Sequence, residues 1–402
     1  MRPRHFRGEV AVNARERFNA VMAFEPVDRP PLWEIAYWMG AVRRWYREGL
    51  PRRVGLPDDL GDGRGAAAEV FPWDITDAAT NPLASDVHDF LGMDPGFRRV
   101  PVNNYMCPAY EEIILEDHGD WIVWRDSNGV TRRDRKDRAT LPAFIGWPVR
   151  NREEWEQVKA ERLQPSLSGR LAPGWDGLVA KLKAGEHPVV VGLRSGYYWA
   201  CRNLLGDEHL LYMFYDDPAL VRDIMRHLSN FWIALYDQVL DQLPADAAVI
   251  WEDICYKNGP LISPAMVREF ILPEYKRLTA FFRSHGIKTV LLDTDGDLRQ
   301  LIPIFLEGGI TGLLPFEVNA GLNVVEIREA YPRLQILGGI DKVQLARGRQ
   351  AIEEELAAKV TPEMLRQGGF IPMVDHSVPM DISWDSFRYY RERLREIVGA
   401  PR

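Results

Sequence analysis

Residues 289–339 read TVLLDTDGDLRQLIPIFLEGGITGLLPFEVNAGLNVVEIREAYPRLQILGG. Three apolar runs in this stretch are separated by helical patterns, and they end at Asp293-Thr294-Asp295, at Glu317 and, just beyond the stretch, at Asp341. A short aliphatic run bounded by polar residues is typical of a strand that is buried on both faces. Such strands, alternating with helices and ending in carboxylates, predict a parallel β/α protein with its chemistry at the strand ends.

Composition excludes several classes of partner. The chain has 402 residues, of which 46% are hydrophobic, so it can bury a large core. A formal charge of -8 argues against nucleic acid or an anionic membrane as a partner, because both require a concentrated basic surface. The three cysteines are far apart and odd in number, which is typical of a reducing cytoplasm. Without an apolar run of about 18 residues, we expect neither a membrane span nor export.

The N-terminal region predicts a helix and then a strand. Asn13 to Phe24 has apolar residues at helical spacing, with Asn13 as the N-cap and Glu16 at the third helical position, as in a capping box. Prolines then break the helix, and Leu32 to Ala36 follows as the first strand.

The order of the remaining elements predicts an α/β fold, a TIM-like (β/α)8 barrel. We interpret residues 1–402 as one barrel domain with an inserted antiparallel β meander at about 85–163, where short strand patterns are joined by turn sequences. Seven barrel strands are readable, and we place the eighth at Ala68 to Phe71. A long helical region is predicted from Tyr198 to Leu243. A doubly wound open sheet is the alternative, but no GxGxxG follows the first strand.

In a barrel, the residues at the carboxyl ends of the strands face a common mouth. Acids outnumber bases there by more than two to one: Glu34, Arg194, Glu252, Asp253, Asp293, Asp295, Glu317, Asp341, Lys342, Asp375 and His376. Crowded carboxylates repel each other, so some are protonated, some pair with Arg194 or Lys342, or a cation is bound.

Asp293 and Asp295 form the most specific local feature, because alternate residues at a strand end point the same way and can reach one ion. The alternative is that one of them caps the next helix. His376 can be a ligand or an acid/base group at this mouth, or a structural residue. Tyr37 and Trp38 can form an aromatic wall around a substrate, with core packing as the alternative.

An ordered set of motifs resembles the uroporphyrinogen decarboxylase superfamily and covers most of the chain. These motifs are Asn13-Ala-Arg-Glu-Arg-Phe18, Phe24-Glu-Pro-Val-Asp-Arg-Pro-Pro31, Asp293-Thr-Asp-Gly-Asp297, Leu314-Pro-Phe-Glu317, Gly338-Gly-Ile-Asp-Lys342 and Gly368-Gly-Phe-Ile-Pro-Met-Val-Asp-His376. The resemblance implies a β/α barrel and one of two chemistries. One is decarboxylation of uroporphyrinogen, and the other is methyl transfer to or from a corrinoid carried by a separate protein.

Two departures from the superfamily's patterns bear on the chemistry. The true decarboxylases carry an arginine-rich motif that binds substrate carboxylates, whereas this chain has Trp33-Glu-Ile-Ala-Tyr-Trp38, and an acidic mouth repels a polycarboxylate. The thiol methyltransferases hold zinc with His-x-Cys and a later Cys, whereas this chain has Asp293-x-Asp295 and His376. Carboxylates and an imidazole suit zinc or another divalent ion that binds an oxygen-bearing substrate, rather than coenzyme M.

The resemblance therefore favours a corrinoid-dependent methyltransferase that demethylates a small methoxy or methylamine compound. We expect a corrinoid on a partner protein and a divalent metal, with zinc first; a homodimer is left open. The predicted site residues fall into three groups: catalytic Asp295, His376 and Glu252; substrate-binding Glu34, Tyr37, Trp38, Arg194, Glu317 and Asp341; and metal-ligating Asp293, Asp295 and His376. The alternatives are a divergent decarboxylase or lyase, in which Asp295 or Asp375 stabilises a protonated intermediate, and a non-catalytic barrel that binds a corrinoid protein or a small molecule.

Overall fold

A computed structural model of the chain describes residues 12–53, 69–70, 82–136, 142–192 and 196–399. Its strands, numbered in chain order from β1 to β15, are Tyr37–Trp38, Glu69–Val70, Arg98–Arg99, Ile113–Asp117, Trp121–Arg125, Thr131–Arg135, Ala143–Gly146, Val189–Gly192, Ala247–Trp251, Cys255–Tyr256, Gly259–Pro260, Thr289–Asp293, Gly312–Leu314, Gln335–Leu337 and Phe370–Ile371. Its α-helices, α1 to α16, are Ala14–Met22, Met39–Glu48, Pro82–Leu91, Arg152–Arg162, Trp175–Ala184, Tyr197–Leu205, Asp207–Asp216, Pro218–Leu240, Pro264–Met266, Leu272–Ser284, Ile302–Glu307, Val324–Ala330, Lys342–Ala346, Arg349–Lys359, Pro362–Gln367 and Trp384–Ile397. A π-helical turn, Val267–Ile271, joins α9 to α10, and a 3-10 turn spans Val318–Ala320.

The core of the fold is a curled parallel sheet of seven strands in the order β3-β8-β9-β12-β13-β14-β15. The spatial order follows the chain order, with no reversal of the kind that defines a doubly wound sheet. The segment Leu32 to Trp38 contacts both edges of this sheet. Leu32 accepts a hydrogen bond from Asp94 N–H just before β3, and Ala36 accepts one from Val378 N–H just after β15. The sheet is a curled half-barrel, which is consistent with the predicted TIM-like architecture. The strand predicted from Leu32 to Ala36 is wrong, because the first strand is Tyr37–Trp38 and lies outside the parallel sheet.

Both faces of the parallel strands are buried, which explains their continuous apolar runs. Val190, Val249 and Leu291 point into one cluster, where they meet Phe18 and Trp33. The alternate residues of the same strands belong to the larger cluster that includes the surrounding helices. The sequences of the central strands are therefore set by two separate cores, and most of their polar residues lie at or beyond the strand ends.

The predicted eighth strand is wrong in its position. Glu69–Val70 pairs antiparallel with Tyr37–Trp38 and does not join the parallel sheet. The additional parallel strand is β3, Arg98–Arg99, which pairs with Val189 and Val190 of β8. Two consecutive arginines give no apolar run, so the pattern of the sequence could not indicate this strand.

The helix ends follow local capping rules. The predicted capping box of α1 is confirmed: the Asn13 side chain accepts from Glu16 N–H at 2.9 Å and the Glu16 side chain accepts from Asn13 N–H at 3.1 Å. The long helical region predicted from Tyr198 to Leu243 consists of three helices, α6, α7 and α8. Gly206, with φ of 86°, ends the first, and Asp217 caps the third with Pro218 at its first position.

The predicted antiparallel meander is present as a four-stranded sheet in the order β4-β5-β6-β7. Three of its strands lie where the sequence indicated them, and β7 adds a fourth. Both edge strands expose large apolar side chains, among them Ile114 on β4 and Phe144 on β7. The description of the whole chain as one domain with this insertion remains our interpretation.

Candidate functional site

Backbone hydrogen bonds bring the polar strand ends together at the mouth of the barrel. Glu252 N–H, after β9, donates to the Asp293 carbonyl at 2.8 Å, and Thr294 N–H, after β12, donates to the Leu314 carbonyl at 3.0 Å. These bonds continue the parallel ladder past the assigned strands. They place Asp253, Asp295 and Glu317 on neighbouring strand ends.

Asp295 and His376 form the most accessible polar pair of the mouth. The His376 Nε2 atom lies 3.4 Å from Asp295 Oδ1, and the two side chains are 27% and 42% exposed. The two residues come from loops after β12 and β15, which lie on different parts of the sheet. A solvent-accessible imidazole that is held by a carboxylate can exchange a proton with a bound molecule.

The turn after Asp295 is fixed by close backbone contact. Gly296 has φ of 80°, and a Cβ atom at this position would lie 2.6 Å from the Tyr256 backbone. Its N–H donates to Glu317 Oε2 at 3.0 Å. Asp297 N–H then donates to the Tyr256 carbonyl at 3.0 Å. The position of Asp295 is therefore defined by a turn that only glycine can make.

Lys342 links two carboxylates on the next strand ends. Its Nζ atom lies 3.3 Å from Asp375 Oδ1 and 3.6 Å from Glu317 Oε1. Asp375 is fully buried and also accepts hydrogen bonds from the backbone N–H groups of Val318 and Lys342. Burial raises the pKa of Asp375, and the nearby ammonium of Lys342 opposes that rise. Asp375 thus anchors the segment that carries His376.

Asp253 is an acid that the predicted site did not include, and its carboxylate is close enough to Asp295 for the two charges to interact. Its backbone is left-handed, with φ of 45°, and its carboxylate accepts from Arg202 at 2.8 Å and from the Trp251 indole at 2.7 Å. Burial raises the pKa of Asp253, the charge of Arg202 lowers it, and the charge of Asp295 raises it. The sequence placed Asp253 at a strand end but gave no sign of its partners or its strained backbone.

Glu252 was predicted to be catalytic, but its carboxylate is enclosed by the fold. It is fully buried, and it accepts from the N–H groups of Tyr197 and Tyr198 at 2.9 and 2.7 Å and from the Tyr275 hydroxyl at 2.7 Å. Burial raises the pKa of Glu252 to about 7, although these hydrogen bonds favour the charged form. Its contacts hold the first turn of α6 against β9, which is a structural role.

Glu34 was predicted to bind substrate, and the structure places it in a buried ion pair. The side chain is fully buried, pairs with Arg391 of α16, and accepts from Val374 N–H at 2.7 Å. Burial raises the pKa of Glu34, and the guanidinium of Arg391 opposes this effect. In this structure Glu34 links the first barrel segment to the last helix and does not face the mouth.

The other predicted substrate residues divide into three cases. Tyr37 is fully buried among Trp45 and Phe387, so core packing accounts for it, and Trp38 is half-buried beside the same cluster. The Asp341 carboxylate accepts from Val343 N–H at 2.8 Å and caps α13. Only Glu317 is partly exposed at the mouth and in contact with the turn that holds Asp295.

Arg194 lies outside the described residues. Asp293 is half-buried at the end of β12. In the part of the chain that the structure describes, no group of three His, Cys, Asp or Glu side chains is arranged to hold a metal ion. Of the predicted metal ligands, Asp295 and His376 lie 3.4 Å apart. A metal held by Asp293, Asp295 and His376 stays a prediction.

The electrostatics of the mouth favour a neutral or cationic ligand. Three cations near the described strand ends face carboxylates: Arg202 with Asp253, Arg299 with Asp297, and Lys342 with Glu317 and Asp375. Asp295 adds a further exposed acid. A ligand that carries several carboxylates would meet excess negative charge among the described residues.

The family model of uroporphyrinogen decarboxylase (URO-D) matches residues 138–397, well over half of the chain. The chain belongs to the uroporphyrinogen decarboxylase family. The match includes the strand ends with Asp253, Asp295, Glu317 and His376, so the whole candidate pair lies within the family region.

A search of solved structures finds a methyltransferase from Methanosarcina mazei, with a TM-score of 0.61 and 15% sequence identity. The similarity covers 96% of this chain and 99% of that chain. At this identity the similarity concerns the fold, and it supports the TIM-like description. No curated protein matches the sequence. None of the helices in the described residues is long and apolar enough to cross a membrane.

Proposed function

We propose that the protein is a methyltransferase that removes a methyl group from a small methoxy or methylamine compound and delivers it to a corrinoid on a partner protein. The observation that supports this proposal is the contact between His376 and Asp295 at an accessible, acidic mouth, where His376 can act as a proton donor. Membership of the family and the fold shared with a methyltransferase support an enzyme of this kind.

The reaction requires help at the leaving atom. When the methyl carbon is displaced, its bond to oxygen or nitrogen breaks and the electron pair stays on that atom, which is a poor leaving group unless it is protonated. A reduced corrinoid supplies the nucleophile that takes the methyl group. The imidazolium of His376 supplies the proton, and Asp295 holds that ring by a charge-assisted contact.

The remaining residues of the mouth position this pair. Glu317 fixes the turn of Gly296, and the bridge from Lys342 to Asp375 fixes the segment before His376. Neither needs to contact the substrate for the reaction to proceed. The mechanism assigns the proton transfer to the imidazole of His376, and the metal expected at Asp293, Asp295 and His376 stays a prediction.

The charge of the mouth distinguishes this proposal from decarboxylation of a polycarboxylate. A decarboxylase for such a substrate needs unpaired cations that bind several carboxylates, whereas Arg202, Arg299 and Lys342 are each paired with acids of the protein. A methylated ether or amine carries no negative charge at its reacting end. The acidic mouth therefore suits it better.

The test supplies the purified protein with chemically reduced free cobalamin and a panel of methoxy and methylamine donors, and follows methylcobalamin by its absorbance. We expect methyl transfer from at least one donor class, and a large loss in Asp295→Asn and His376→Gln. If no donor yields methylcobalamin, the proposal is wrong. Release of carbon dioxide from a carboxylated substrate without corrinoid would indicate the decarboxylase alternative instead.

A further inference from the structure

Helix α7 exposes a row of large side chains. Leu211, Tyr212 and Tyr215 are 39%, 60% and 77% exposed. Their spacing of three and four residues places them on one face of the helix. The opposite face, with Met213 and Phe214, is buried in the core. Burial of the opposite face against the core therefore does not account for the exposed row.

This row continues toward the mouth of the barrel. The Tyr215 hydroxyl lies 3.8 Å from the Met266 sulfur, at the start of the helical segment that follows the β10–β11 hairpin. That hairpin and its end expose Tyr256 and Leu261. The Tyr256 carbonyl accepts from Asp297 N–H in the loop that carries Asp295. We define Leu211, Tyr212, Tyr215, Tyr256 and Leu261 as the tyrosine surface.

The chemistry of this surface is that of a protein contact. Tyrosine presents a large, rigid area with a polar end, and it is enriched at the centres of protein interfaces. Large apolar groups that cluster on a surface beside a functional cleft mark an interaction site. These side chains are more than one third exposed and protrude from helix and hairpin, so a small ligand would find no enclosure there.

The acids of α7 disfavour a second copy of the chain that packs helix against helix. Asp207 and Glu208 lie in the first turn of α7, and Asp216 is its last residue. Two copies of α7 packed face to face would bring acids against acids in either orientation, and like charges at a rim disfavour association. A partner with an apolar recess that is bordered by Lys and Arg complements both features.

We infer that the tyrosine surface docks the protein that carries the corrinoid methyl acceptor. This inference rests on the proposed function, because that reaction needs a group on another protein to reach the mouth where Asp295 and His376 lie. A protein seated on the tyrosine surface is beside the loop of Asp295. Docking there brings its prosthetic group to the bound methyl donor while the apolar side chains become covered.

The test measures binding of a panel of purified corrinoid proteins, each reconstituted with cobalamin, to the immobilised full-length chain. We expect at least one to bind, and the double variant Tyr212→Ala/Tyr215→Ala to weaken that binding by tenfold or more. Phe144→Ala, which removes an exposed aromatic side chain from the four-stranded sheet, is the matched control and should bind normally. Asp216→Lys should also weaken binding, although a base in the last turn favours the helix itself.

Methyl transfer to free reduced cobalamin separates this inference from the proposed function. The double variant should keep the wild-type rate with free cobalamin and lose rate only with the carrier protein. If no corrinoid protein binds, or if the double variant binds as tightly as the control, the docking inference is wrong even when free cobalamin is methylated.

A concentration-dependent dimer that the double variant abolishes would assign the surface to a second copy. If a carrier binds through the surface but no methyl group is ever transferred, the proposed function fails and the docking inference stands.

Discussion

Two groups of carboxylates lie along the same barrel, and they differ in what surrounds them. Glu34 and Glu252 are fully buried, and each carboxylate is bound by a cation or by backbone N–H groups of the fold. Asp295 is partly exposed, and it pairs with the accessible imidazole of His376. Acids with a structural role and acids with a proposed chemical role both lie near strand ends. Their burial and the identity of their partners distinguish the two groups.

The largest effect that this comparison predicts concerns the buried ion pair. Arg391→Met should lower the free energy of unfolding by about 3–5 kcal/mol, because it leaves the carboxylate of Glu34 buried without its counter-charge. Chemical denaturation of the variant measures this loss. Arg393→Met, in the same helix but with exposed partners Glu353 and Glu396, is the control and should have a much smaller effect. Equal losses in the two variants would contradict the structural role of Glu34.

A second prediction uses the pKa of Glu252. Because burial raises this pKa from 4.5 to about 7, the folded protein binds the proton more tightly than the unfolded chain does. The resulting stabilisation is complete below pH 4.5 and is lost as the pH rises toward 7. The unfolding free energy of wild type relative to Glu252→Gln should therefore fall by about 3 kcal/mol over this range. A difference between the two proteins that does not change with pH would show that burial does not control this group.

A third prediction concerns the accessible pair. Asp295→Asn and His376→Gln should each lower kcat for methyl transfer about 100-fold, which corresponds to about 2.7 kcal/mol, because each removes the proton donor or the group that holds it. Both variants should unfold close to the wild-type denaturant concentration, since neither side chain is buried. Asp297→Asn is the matched control: this neighbouring acid pairs with Arg299 and should leave kcat near wild type. Similar losses in all three variants would point to the loop as a whole.

The smallest effect is expected at Asp341. Asp341→Ala removes the cap of α13 and should cost about 1 kcal/mol of unfolding free energy. The KM for the methyl donor should not change, because the carboxylate is occupied by Val343 N–H and the Gln344 side chain. A rise in KM without a loss of stability would show that Asp341 binds the substrate, as the sequence predicted.

The barrel was predictable because its strands are buried on both faces. Runs such as Val290 to Leu292 are continuous and aliphatic, since one side chain meets the interior cluster and the next meets the helices. β3 was not predictable, because Arg98 and Arg99 form a strand only through pairing with β8. The break of the long helical region required the conformation of Gly206, which the apolar periodicity does not report.

The site was predictable only in part. The rule that strand ends face one mouth selected Asp295, Glu317 and His376, and the structure places them there. The same rule could not exclude Glu34 and Glu252, because their partners are distant in sequence: Arg391 is 357 residues from Glu34, and Tyr197 is 55 residues from Glu252. A sequence pattern does not show which acid has such a partner. The metal at Asp293, Asp295 and His376 stays a prediction, because a sequence pattern does not fix the directions of three side chains.

The turn at Gly296 has a consequence for how the chemistry of this barrel can diversify. A side chain at position 296 would overlap the Tyr256 backbone, so no other residue can replace Gly296 without moving the loop. The side chain at position 295, one residue earlier, is partly open to solvent. A single codon change there can replace one reactive group with another while the loop keeps its path. Evolution, or a protein engineer, can therefore exchange the reaction at this position without first having to rebuild the frame that presents it.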